Sequence, residues 1–142
     1  MKLFFTALLV FLQVAVTAKA DILVEDAWVR GLPPGVVNTS AYMTIRNTGE
    51  SAVELTGAST DVAGMTMLHN TISHDGMMHM EHVDSISIAA HGELLLQSGG
   101  LHLMLMNLQT MPAPGAEVSL TLEFADGASA VFLIPVRSVL DE

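Results

Sequence analysis

The sequence predicts one all-β domain, a sandwich or barrel, and three observations carry that expectation. Beyond the first twenty residues no segment keeps a 3.6-residue apolar period. Short alternating runs recur instead, separated by Gly, Pro, Asn and Asp at regular intervals. The length of 142 residues suits a single domain.

The N-terminus reads as a cleaved signal peptide. Lys2 provides the positive end, Leu3 to Val16 is almost wholly apolar, and Ala18-Lys19-Ala20 gives a small-x-small cleavage pattern. The apolar run is short beside the roughly 20 residues of a membrane span. No cysteine follows it, so neither a lipid anchor nor stable membrane insertion is expected after cleavage. Residues 21–142 are then the functional domain, delivered to the periplasm.

Ile22 to Arg30 is the first expected strand and carries the only tryptophan, Trp28. Gly31-Leu32-Pro33-Pro34-Gly35 is a loop. Ala41 to Arg46 alternates, with Ala41, Met43 and Ile45 inward, and a turn at Asn47-Thr48-Gly49-Glu50 leads to Val53 and Leu55. This pair is expected to form a hairpin. Ser59 to Val83 reads as less regular. Ser85 to Ile88 is a short strand, and Leu94 to Leu96 leads through Ser98-Gly99-Gly100 into Leu101 to Met106. Glu117 to Phe124 alternates most clearly, with Val118, Leu120, Leu122 and Phe124 inward. Asp126-Gly127 then turns the chain into Val131 to Val136.

Charge and composition remove several function classes. Without the leader only Arg30, Arg46 and Arg137 remain basic against 15 acidic residues, a net charge of −12 with neutral histidines. Such a surface cannot neutralise nucleic-acid phosphates. It suits solubility or docking to a basic partner. The absence of cysteine excludes thiol-disulfide chemistry and a thiolate-ligated blue-copper site. No arrangement of nucleophile, base and orienting group is found, so no enzyme is expected.

Methionine is abundant, with ten in the chain and six between residues 65 and 104. In Leu101-His102-Leu103-Met104-Leu105-Met106 the two-residue strand period puts the leucines on one face and the three donor side chains on the other. Thioether with imidazole suits Cu(I) and is poor for Mg²⁺ or Ca²⁺. Further candidate donors are His69, His74, Met77, Met78, His79, Met80 and His82. A strand through Met77 to His82 would put Met78, Met80 and His82 on one face and Met77 and His79 on the other. Any single methionine is an ordinary core filler. Met43 and Met65 are read as core, Met106 as packing beside the site, and His91 as a solvated turn residue.

His69, Met80, His102 and Met104 are separated by ten, twenty-one and one residues. This spacing resembles the His-x10-Met-x21-His-x-Met signature of the periplasmic PCuAC copper chaperones. Ala27-Trp28-Val29-Arg30, Ala41 to Asn47, Gly99 to Leu105 and Phe124-Ala125-Asp126-Gly127 are similar to that family as well. The resemblance implies a cupredoxin-like Greek-key β-sandwich, monomeric, binding one Cu(I) through His69, Met80, His102 and Met104. It implies delivery toward the Cu_A subunit of cytochrome oxidase, directly or beside a Sco-type protein. The segment around Met80 is richer in donors than that pattern. Met78 rivals Met80 as ligand, and a sink holding several ions through residues 74–82 is the alternative function.

Overall fold

The structure is a computed structural model that describes residues 21–141. The expected signal peptide at residues 1–20 lies outside the described residues. Ten strands follow in chain order: β1 (Ile22–Gly31), β2 (Thr39–Asn47), β3 (Val53–Thr60), β4 (Ala63–His74), β5 (Met77–His82), β6 (Ile86–Ile88), β7 (Glu93–Leu96), β8 (Leu101–Leu108), β9 (Glu117–Phe124) and β10 (Ser129–Ser138). A single 3₁₀ turn at Val139–Asp141 ends the described chain.

The strands hydrogen-bond in the order β5-β4-β8-β2-β1-β10-β9-β3-β6, with β7 added to β2. One layer holds β5, β4, β8, β2 and β1, and the other holds β10, β9, β3 and β6. The end of β10 joins the two through a parallel pairing with β1. The crossovers between non-consecutive neighbours give the expected cupredoxin-like Greek-key sandwich.

Period-two alternation builds the core from both layers. Ala41, Met43 and Ile45 of β2 and Leu103 and Leu105 of β8 face Val118, Leu120, Leu122 and Phe124 of β9, all buried. Val24 and Val29 both turn toward this core although they lie an odd five positions apart, which a regular strand does not allow. A bulge between Glu25 and Trp28 supplies the change of parity, with Asp26 in the left-handed region at φ 51°. As a result Trp28 stands on the outer face, opposite Tyr42.

Two sequence expectations are corrected. β2 and β3 do not form a hairpin: β2 pairs with β1, β7 and β8, and β3 pairs with β6 and β9. Both edges of β2 are taken, so the chain crosses to the other layer. Buried Asn47 fixes that corner. Its Nδ2 donates to the carbonyls of Ser51 (2.8 Å), Ile88 (3.2 Å) and Ala89 (3.2 Å), and its Oδ1 accepts from Gly49 N at 3.0 Å.

The stretch read as irregular is a regular hairpin. β4 is the longest strand at 12 residues, and Asp75-Gly76 returns it into β5. Both turn residues have positive φ, 50° and 77°, as a two-residue type I′ turn requires. Asn47→Ala is expected to lower stability by about 1–3 kcal/mol, because it leaves buried carbonyls and an amide unpaired. Chemical denaturation of the wild type and variant measures this.

Candidate metal centre

Register places the donor side chains. β4 pairs antiparallel with β8, setting His69 opposite His102 and Met67 opposite Met104. β4 also pairs with β5, setting His69 opposite His82 and Thr71 opposite Met80. β8 pairs with β2 with Ser40 opposite Met104, and β2 pairs with β1 with Tyr42 opposite Trp28. Period two then puts all these side chains on the outer face of one layer.

A row of five rings crosses five strands: Trp28, Tyr42, His102, His69 and His82. Successive centroids are 4.9, 6.5, 5.9 and 6.1 Å apart. Arg30 lies over the Tyr42 ring at 5.2 Å and Arg137 over the Trp28 ring at 5.9 Å. These cation-π contacts fix the end of the row remote from the hairpin. Met104 and Met67 flank the histidines on one side of the row. Met80 flanks them on the other, opposite Thr71.

The imidazoles are prepared unequally. His102 is only 3% exposed. Its Nδ1 lies 2.9 Å from the carbonyl of Gly100, which can only accept, so Nδ1 carries the proton and Nε2 presents a lone pair. That Nε2 is buried without a hydrogen-bond partner, and so is Nδ1 of His69. Two adjacent buried nitrogens without partners are costly unless something occupies them. A metal cation is one kind of occupant that could satisfy them. Met104 is held by Ser40, whose hydroxyl donates to its Sδ at 3.7 Å. A thioether sulfur has a second lone pair left for a metal.

Of the four residues carried by the spacing, His69, His102 and Met104 are gathered by neighbouring strands. Met80 lies one strand beyond and is 58% exposed. In register it stands opposite Thr71, across β4 from His102 and Met104 on β8. Met67, which is not among the donors expected from the sequence, lies directly across from Met104. The strand parity of Met65-Thr66-Met67-Leu68-His69 was the available signal. Met65, read as core, is instead 47% exposed on the outer face opposite Met106. The core position on β4 belongs to Leu68.

Met78, Met80 and His82 share one face of β5, as expected, and Met77, His79 and His74 share the reverse face at the hairpin tip. All six residues of β5 are exposed. His91 sits at a turn, exposed, with Nε2 3.1 Å from Glu50 Oε1. A cleft of about 240 Å³ beside Trp28 and Tyr42 is lined by none of the histidines.

The model of the family "Putative lipoprotein LpqE-like" matches residues 22–136. The chain belongs to this PCuAC-type family. Lxx21020 of Leifsonia xyli subsp. xyli, named as a lipoprotein, is 34% identical over 115 residues, covering 80% of this chain and 68% of that protein. The solution structure of the Cu(I) form of DR1885 from Deinococcus radiodurans is 36% identical, with a TM-score of 0.65. That likeness covers 84% of this chain and 83% of DR1885. The copper-bound PCuAC domain of PmoF2 shares the fold at 20% identity, with a TM-score of 0.70 over 86% of this chain and 97% of that domain.

Burial, then the neighbouring His102 and His82, hold the His69 imidazole below its ordinary pKa of 6.5. Below about pH 6.5 the unfolded chain takes up a proton that folded His69 refuses. This contribution to stability is therefore present above that pH and lost as pH falls through the lower, folded value. NMR titration of the metal-free chain should show the His69 ring titrating below the ordinary histidine range. The same titration in His102→Gln should move it back upward.

Proposed function

We propose that this chain is an exported copper chaperone that carries one Cu(I) and passes it on by ligand exchange. The observation that carries the reading is the pair of partnerless buried nitrogens, His69 Nδ1 and His102 Nε2, beside the sulfur of Met104. A bound Cu(I) form of a relative 36% identical supports it. Two imidazoles and two thioethers are neutral and free of oxidisable thiol, and the soft sulfurs suit Cu(I) outside the cytoplasm.

His69, His102 and Met104 form the fixed part of the ligand set, and Met80 closes it from the exposed hairpin. The division suits transfer. The buried imidazole retains the ion while the exposed thioether yields first to an incoming ligand. The acceptor proposed is the Cu_A subunit of cytochrome oxidase or a Sco-type protein, met in the periplasm after removal of residues 1–20. The acidic surface favours an acceptor with a basic rim.

An anaerobic Cu(I) titration of residues 21–142 against a chromophoric chelator tests the site. One tight equivalent is expected, weakened about tenfold or more by Met104→Leu and by Met80→Leu, since each removes a direct ligand. A loss in Met67→Leu in place of Met80→Leu would move the fourth ligand onto β4. Several equivalents that survive all three changes would favour a copper sink built from residues 74–82. For delivery, copper-loaded protein mixed with reduced Cu_A or Sco-type acceptor should lose its ion to the acceptor. Retention of the ion would exclude the chaperone reading.

A further inference from the structure

His82 extends the pair of imidazoles into a line of three, and the Cu(I) reading does not use it. Its ring lies 6.1 Å from that of His69, as His102 lies 5.9 Å away on the other side. The rings meet edge to face, at 77° and 71°. Each comes from a different strand, and the three positions are directly opposed in register: His82, His69, His102.

We propose that His82, His69 and His102 form a second, nitrogen-only ligand set on this same face, which takes a divalent ion of borderline softness such as Cu(II). Imidazole suits Cu(II) and Zn(II), whereas thioether prefers Cu(I). The set deepens the Cu(I) site and rests on that reading for His69 and His102. The two sets differ in what completes them: sulfur from Met104 and Met80 in one, the His82 nitrogen in the other.

Each ring has a nitrogen left to ligate. His102 Nε2 and His69 Nδ1 are buried and partnerless. His82 Nε2 lies 3.1 Å from Asp84 Oδ1. A carboxylate on Nε2–H leaves Nδ1 of His82 to ligate and raises its basicity, the usual supporting contact of a metal-bound histidine. Among the described residues no three His, Asp or Glu side chains already converge on a metal-sized gap. The ion must therefore draw the rings in. His102 is fixed by Gly100, but the side chain of His82 is 45% exposed on an edge strand and can turn toward His69. Because His69 and His102 belong to both sets, the two ions exclude each other.

The test is a Cu(II) titration of residues 21–142 with electron paramagnetic resonance, on wild type, His82→Ala, Met104→Leu and the double variant His74→Ala/His79→Ala. Circular dichroism checks that each is folded. His82→Ala should weaken Cu(II) at least about tenfold and reduce the nitrogen superhyperfine pattern, while Cu(I) affinity against the chelator stays unchanged. Met104→Leu should do the converse, and the double variant should alter neither. Preloading with one equivalent of Cu(I) under nitrogen should block one equivalent of Zn(II), a redox-silent probe of the same set.

An unchanged Cu(II) affinity and nitrogen pattern in His82→Ala overturns the proposal. So does a loss confined to His74→Ala/His79→Ala, which would place the divalent ion at the hairpin tip. Unchanged Cu(I) affinity in Met104→Leu, with Cu(II) still dependent on His82, would remove the thioether reading and leave the three-imidazole set standing.

Discussion

The antiparallel pairing of β4 with β8 is the constraint on which the donor face depends. It sets His69 against His102 and Met67 against Met104, and it fixes parity so that Leu68, Leu103 and Leu105 go into the core. A slip of one residue would exchange the faces, burying sulfur and imidazole and exposing leucine. The core therefore enforces the site. Burial of Leu103 and Leu105 at 0% exposure leaves no freedom for the register to drift.

The face grades from rigid to mobile along a single line. At one end Trp28 and Tyr42 stack under Arg137 and Arg30, and His102 is buried against them. At the other end β5 is an edge strand with every residue exposed, attached through one neighbour, β4. Donors on such an edge are placed for exchange, because local opening there breaks few apolar contacts. The methionines exposed on β5 would be a solubility liability in a chain without a ligand for them. A net charge of −12 over residues 21–142, with histidines neutral, offsets part of that liability.

The imidazoles show how much of the chemistry is set before a metal arrives. His102 has its tautomer chosen by one carbonyl, and His69 is kept neutral by burial and by its neighbours. A neutral imidazole with an unpaired buried nitrogen is destabilising in the metal-free fold, since the polar atom has lost water without gaining a partner. Binding of the proposed Cu(I) at these atoms would recover that free energy. On the proposed reading, stability of the fold and affinity for the cation would be linked through the same two atoms.

The sequence by itself determined the all-β class, the inward leucines of β8, the alternation of β9, the turn at Asp126-Gly127 and the shared strand face of His102 and Met104. Each of these follows from period two or turn composition, which are local properties. The spacing of His69, Met80, His102 and Met104 also identified the PCuAC-type family to which the chain belongs. Asp75-Gly76 was a legible turn that the concentration of His and Met around it obscured. The tertiary structure decided what local pattern cannot encode: which strands lie side by side. That β2 turns away from β3 at Asn47, that Met67 rather than Met80 stands beside Met104, and that His82 joins His69 and His102 in one row all depend on pairing between distant segments. Alternation assigns each residue a face, but only register across strands assigns it a neighbour.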